Sequence, residues 1–220
     1  MATSGKRTPD KSLPAPNPRL YLTTPPVGDG AALAALLVPA LAAADVAAVL
    51  LHLDPAQNDE RAAINAVKRV ASAVQNAGAA LVLDGWPQIV ARSGADGAHI
   101  TGVEALAAAL PALRPDRIAG AGGLLSRHDA MVAGEAGADY VMFGEPDAEG
   151  GRPSIEAIAE RLAWWSEVFE IPCVGFAQSQ EDVETMARAG ADFIALGAFI
   201  WEDPNTSAAK VRLAGRSCVR

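Results

Sequence analysis

The chain is poor in the groups that most active sites are built from. Its 220 residues include two cysteines, Cys173 and Cys218, three histidines and only 5% aromatics. Two cysteines make no disulfide framework, which points to a reducing, cytoplasmic setting. No apolar run approaches the ~18 residues of a membrane span. The first 19 residues carry Pro9, Pro14, Pro16 and Pro18 beside Lys6, Arg7 and Lys11, without the apolar stretch of a secretory signal. Positive charge is also scarce: 18 Lys and Arg against 26 Asp and Glu leave a net −8. That balance argues against a nucleic-acid binder working through phosphate contacts. Metal-ligand spacings such as HExxH are absent.

Half of the residues are apolar, enough for a sizeable core, and one phrase recurs. Gly94-Ala95-Asp96, Gly137-Ala138-Asp139 and Gly190-Ala191-Asp192 each close an Ala-rich helical stretch and open a short apolar run. Ala44-Asp45 is a weaker fourth copy. The spacing is that of two βα units, so the phrase marks the even strands of a single (β/α)₈ TIM barrel in the α/β class. Gly past the last helical turn takes a left-handed conformation, and the Asp sits in a tight loop where it can bond backbone N–H groups. These Asp residues are therefore read as structural.

The expected strands are Arg19 to Thr23, Val46 to Leu53, Ala79 to Leu83, Gly97 to Ile100, Arg117 to Gly120, Tyr140 to Phe143, Pro172 to Phe176 and Phe193 to Leu196. The clearest helix runs from Ser154, a candidate N-cap, to Phe169, with Ile155, Ile158, Leu162, Trp165 and Phe169 in one stripe. Trp164 flanks that stripe, either half-buried or exposed with Val168 as a contact in a possible homodimer. Residues 1–18 are expected to be a disordered or loosely attached tail, and 19–220 the barrel.

The repeat also sets side-chain direction. Counted from each Asp, the odd positions should face the interior: Val46, Ala48, Leu50 and His52; Gly97, His99 and Thr101; Tyr140, Met142 and Gly144; Phe193, Ala195 and Gly197. The even positions, such as Val49, Ile100, Phe143 and Leu196, should meet the helices. The mouth at the C-terminal strand ends then gathers His52, Asp54, Asp84, His99, Thr101, Gly122, Gly123, Glu145, Gln178 and Gly197. Carboxylates and imidazoles converging there suit a divalent metal or acid–base work. For His52 and His99, ligand contact and a satisfied interior hydrogen bond stand equally open, while His128 belongs on a solvated helix face. The Gly-rich loop from Glu145 to Pro153 reads as a lid.

From Leu20-Tyr21-Leu22-Thr23, through Gly94 to His99, Gly137 to Tyr140 with Gly144, and Ile171-Pro172, to Gly190-Ala191-Asp192, the chain resembles the thiamine phosphate synthase/TenI family. The resemblance implies an enzyme that joins a thiazole phosphate to a pyrimidine pyrophosphate and releases pyrophosphate, with Mg²⁺ on the leaving group. It also locates departures. The family's Gln-x-Arg-x-Lys of strand two falls on Leu50, His52 and Asp54, and its Asn-Asp-Arg on Asp84-Gly85-Trp86, so a Mg²⁺-binding Asp falls on Gly85. A second metal carboxylate falls on Glu104, a Ser after strand five on Gly122, and the Gly-Gly of strand seven on Ala177-Gln178. Of the family's Thr-x-Thr-Lys lid, the cation survives as Arg152.

Position and resemblance together give His52 and His99 as catalytic candidates. Asp54, Asp84, Thr101, Gly122, Gly144, Arg152, Gln178 and Gly197 are the candidates for binding a phosphorylated heterocycle, and Glu104 is the candidate for Mg²⁺. Two alternatives to the synthase stay open: a TenI-like thiazole tautomerase, and a barrel that binds a ligand or partner without catalysis.

Overall fold

The structure, a computed structural model, describes residues 16–27, 30–54 and 59–219. The expected tail lies, as far as residue 15, outside the described residues. Eight parallel strands close into one barrel in sequence order: β1 (Arg19–Thr23), β2 (Val46–Leu51), β3 (Ala80–Asp84), β4 (Gly97–Thr101), β5 (Ile118–Gly122), β6 (Tyr140–Phe143), β7 (Cys173–Ala177) and β8 (Phe193–Leu196). Outside them run α1 (Gly30–Leu41), α2 (Glu60–Asn76), a short α3 (Val90–Ser93), α4 (Val103–Leu113), α5 (Arg127–Ala136), α6 (Ile155–Val168), α7 (Gln180–Arg188) and α8 (Ser207–Ser217). Each helix follows a strand and returns the chain to the lower end, as parallel pairing requires. Among the described residues no helix is long and apolar enough to cross a membrane.

The repeat does what its chemistry suggests. Gly94, Gly137 and Gly190 have φ of 81°, 106° and 98°. The Asp that follows each one accepts a backbone N–H from the start of the preceding strand. Asp96 Oδ2 takes Leu81 N–H at 2.7 Å, Asp139 Oδ2 takes Ala119 N–H at 2.7 Å, and Asp192 Oδ2 takes Cys173 N–H at 2.8 Å. Asp45 differs: it holds the Arg19 guanidinium through two bonds of 2.8 Å at the solvent edge.

Two layers of core separate as the alternation implies. Tyr21, Leu50, Val82, Tyr140, Met142, Val174 and Ala195 pack inside the barrel. Val49, Leu51, Ile100, Phe143, Ile194 and Leu196 pack between sheet and helices. Val46 is a correction to the expected register. Pairing shifts between Leu20 and Tyr21, opposite Val46 and Ala48, leaving Ala47 as an extra residue. Val46 therefore packs in the outer layer. The second strand also ends at Leu51 rather than Leu53, although Leu53 still bridges Val27.

On α6, Ser154 caps through Ala157 N–H, and Ile158, Leu162 and Trp165 are buried as the stripe predicts. Trp164 is half-buried. It stands edge-on to Trp165 and Phe169, and the Arg127 guanidinium lies 4.8 Å from its ring centroid. Val168 alone of the Trp164–Val168 pair is exposed. Cys173 and Cys218 are buried and not joined in a disulfide, and burial pushes the Cys173 thiol up to about 12, which makes it a poor nucleophile.

Candidate functional site

The centre of the mouth is a chain of hydrogen bonds rising through the barrel interior. Tyr21 on β1 and Tyr140 on β6 share a hydroxyl contact of 3.0 Å. The Tyr140 hydroxyl meets His99 Nδ1 at 2.9 Å, and the two rings stack with centroids 5.6 Å apart. His99 Nε2 meets Glu145 Oε1 at 2.9 Å, and Gly123 N–H donates to Glu145 Oε2 at 3.1 Å. His99 sits on β4 with its side chain fully buried, whereas the Glu145 side chain keeps 18% exposure at the open end. Gly144, with φ of 91°, turns the chain after β6 so that Glu145 folds back over the strand ends.

Charge within this pair is mutually supported. Burial alone would lower the His99 pKa, but the charge and hydrogen bond of Glu145 raise it above 6.5. Burial would raise the Glu145 pKa, but His99, with help from Gly123 N–H, pulls it below 4.5. With Glu145 ionised, His99 Nε2 is the donor. Burial, foremost among its causes, pushes both tyrosine hydroxyls above their ordinary range, so both stay protonated.

The pair depends on the absence of a side chain at Gly122. A Cβ there would lie 2.1 Å from Glu145 Oε2 and 2.2 Å from His99 Nε2, far inside contact distance. Beside the pair opens a cavity of about 430 Å³, whose lining includes Thr101, Gly123, Met142, Gly144, Glu145 and Arg161. A second, of about 390 Å³, has Asp84, Gly85 and Thr101 in its wall.

The second imidazole is set differently. His52 Nε2 lies 3.5 Å from Asp84 Oδ2, both side chains being partly exposed. Its backbone N–H donates to Thr24 Oγ1 at 3.1 Å. Its buried Nδ1 has no hydrogen-bond partner among the described residues.

The model of the family described as thiamine monophosphate synthase matches residues 20–200. The chain belongs to this family. It is 40% identical over 201 residues to a protein of Rhodospirillum centenum named thiamine-phosphate synthase, covering 88% of this chain and 94% of that one. A protein of the same name from Hyphomonas neptunium is 36% identical over 214 residues, with coverage of 92% and 95%. Among solved structures, thiamine phosphate pyrophosphorylase from Pyrococcus furiosus superposes with a TM-score of 0.74 at 19% identity, covering 92% of this chain and 97% of that one. The 3-hexulose-6-phosphate synthase of Salmonella typhimurium gives 0.70 at 15% identity, with 91% and 99% covered. At those identities the two structures attest the barrel alone.

Within the family frame, the groups expected to hold phosphate already have partners. Arg152 donates to Asp182 Oδ2 at 2.7 Å and to Phe176 O at 3.1 Å. The Gln178 N–H also goes to Asp182 Oδ2, at 2.8 Å, while its side chain is exposed. The N–H of Gly197, a candidate for binding the phosphorylated heterocycle, donates to Ala177 O at 2.9 Å. Asp182 is thus a carboxylate bound in the manner of an anion by one guanidinium and one backbone N–H. Arg161 is spent on Leu124 O and Leu125 O.

The remaining expected positions divide by exposure. Asp54 is half-buried, with its N–H donating to Val27 O, and Asp84 and Thr101 stand at their strand ends. Glu104 is exposed in the first turn of α4. No group of three or more His, Cys, Asp or Glu suited to a metal occurs among the described residues. His128 is exposed. Sequence reasoning placed Glu145 at the mouth but missed its bond to His99, and it missed Tyr21, Tyr140 and Asp182. The odd register already pointed Tyr140 and His99 inward, which was the available signal.

Proposed function

We propose that the protein acts on a thiamine precursor at this mouth, as a transferase of the kind its relatives are named for, joining a thiazole phosphate to a pyrimidine pyrophosphate. The observation that carries the reading is full-length relatedness, at 40% and 36% identity, to two proteins named thiamine-phosphate synthase. The protein's own cations near the mouth are engaged, Arg152 by Asp182 and Arg161 by loop carbonyls. With the Arg152 charge offset by Asp182 and Arg161 tied to its loop, a divalent cation would add to the charge available for a leaving pyrophosphate. Mg²⁺ needs only one or two protein carboxylates when substrate phosphates complete its shell. Asp84, on the wall of its cavity, suits that role, with Glu104 at the start of α4 as the second carboxylate. When bound, Mg²⁺ supplies positive charge to the leaving group. The chain itself contributes an imidazole at His52 beside Asp84.

The test is thiamine phosphate formation from the two family substrates with Mg²⁺. Product above background is expected, and Asp84→Asn should lower the rate by about 10²–10³, the usual cost of losing one electrostatic contact. No product with either enzyme removes the reading. A TenI-like tautomerase is the second reading, favoured by His52, whose imidazole is partly exposed next to Asp84. His99 fits a free base less well, since both its ring nitrogens are bonded. A homodimer through α6 belongs to the same proposal, supported by the exposure of Val168.

A further inference from the structure

The end of the mouth beyond β7 and β8 is where barrels of this kind commonly bind phosphate, on loop N–H groups and a helix N-terminus. In this protein one of its own side chains stands there. Asp182 lies in the first turn of α7, and its side chain is 12% exposed. Its Oδ2 accepts the Arg152 guanidinium at 2.7 Å and the Gln178 N–H at 2.8 Å. A second guanidinium nitrogen of Arg152 donates to Phe176 O at 3.1 Å, and the Arg152 side chain is 14% exposed. The backbone of Asp182 is held as well, its N–H donating to Ser179 Oγ at the N-cap of α7. A guanidinium and a loop N–H that converge on one oxygen are the kind of donors that phosphate takes. Arg152 keeps its charge, but a carboxylate at 2.7 Å offsets it. The positive end of α7 is offset too, since Glu181 and Asp182 both lie in its first turn. A phosphate arriving here would meet no net attraction, and its charge would face that of Asp182 at short range. It would also compete with a carboxylate that the fold holds in place, whose effective concentration far exceeds that of a dissolved ion.

We infer that Asp182 is a specificity-determining residue that acts as a built-in counter-anion: it takes up Arg152 and the Gln178 N–H, so that the loop between β7 and α7 binds no phosphate. A phosphorylated substrate then places its phosphate elsewhere in the mouth. Arg152 serves instead to tie the loop from Glu145 to Pro153 to α7. Thiamine phosphate formation tests the synthase reading separately, because binding of a free anion at one loop does not depend on turnover.

The probe is inorganic phosphate, titrated into the full chain and followed by calorimetry and by the amide resonance of Gln178. In the unaltered protein that resonance should stay in place up to about 10 mM phosphate, enough to fill a weak site. Asp182→Asn keeps the size of the side chain but removes its charge and leaves Arg152 uncompensated. It should bind phosphate about tenfold or more tighter than the unaltered protein, the scale of one charge-assisted hydrogen bond. Arg152→Ala added to Asp182→Asn should abolish the gain, whereas Arg152→Ala alone should change phosphate binding by less than about twofold. A Gln178 resonance that moves with phosphate in the unaltered protein overturns the assignment. So does a folded Asp182→Asn variant that gains no affinity, or a gain that survives removal of Arg152. If Asp182→Asn does not fold, the resonance in the unaltered protein decides alone.

Discussion

At the scale of the residue, Gly122 and Glu145 show how two positions far apart in sequence become one feature. The His99–Glu145 pair gives a signature in stability against pH. Glu145 has a folded pKa below 4.5, so its contribution is present above the ordinary carboxylate value and is lost as pH falls through the folded one. His99 has a folded pKa above 6.5, so its contribution is full below that value and is lost as pH rises through the folded one. The pair's contribution is therefore complete between about 4.5 and 6.5 and declines on both sides. Denaturant midpoints measured across this range should show that both declines are reduced in Glu145→Gln; identical pH profiles would contradict the pairing. The sequence made His99 legible, because the period-2 register counted from Asp96 points it inward. It did not reveal the bond to Glu145, because a loop side chain is aimed by the turn at Gly144 and by the empty space at Gly122, neither of which has a local signature.

At the scale of the element, the Gly-Ala-Asp phrase was legible because helix closure and a short carboxylate bond are both local. Its chemistry ranks its copies. Asp139 removed as Asp139→Ala leaves Ala119 N–H without its 2.7 Å acceptor and should cost about 1–3 kcal/mol. Asp45→Ala breaks an exposed ion pair with Arg19 and should cost at most about 1 kcal/mol. Thermal unfolding of the two variants checks the order, and equal losses would mean that the backbone bond is not what matters. The strand boundaries were less legible. The extra residue at Ala47 turns Val46 outward, and a run of Val and Ala has no feature that marks such a bulge. The loop from Glu145 to Pro153, read from sequence as a lid, has order of its own: Asp147 Oδ1 takes the N–H groups of Glu149 and Gly151 at 3.0 and 2.8 Å. The Arg152–Asp182 bond joins its end to α7.

At the scale of the whole molecule, composition and repeat together led to the closed barrel, since eight short strands alternating with helices bury both faces of a parallel sheet only in a few ways. The surface was harder to read. The stripe on α6 predicts which side is buried, but nothing in the sequence shows that Arg127, from α5, covers Trp164. A subunit contact through α6 consequently depends on Val168, and sedimentation should show a dimer that Val168→Asp dissociates; a clean monomer removes that contact. The lower end of the barrel has a consequence of a different kind. Each carboxylate of the repeat ties an even strand to the odd strand just before it: Asp45 to β1, Asp96 to β3, Asp139 to β5 and Asp192 to β7. The barrel is in that sense a cask of four staves, each two strands wide and each carrying its own hoop. A stave, rather than a single βα step, is then the natural unit in which this architecture would be lengthened, exchanged or rebuilt.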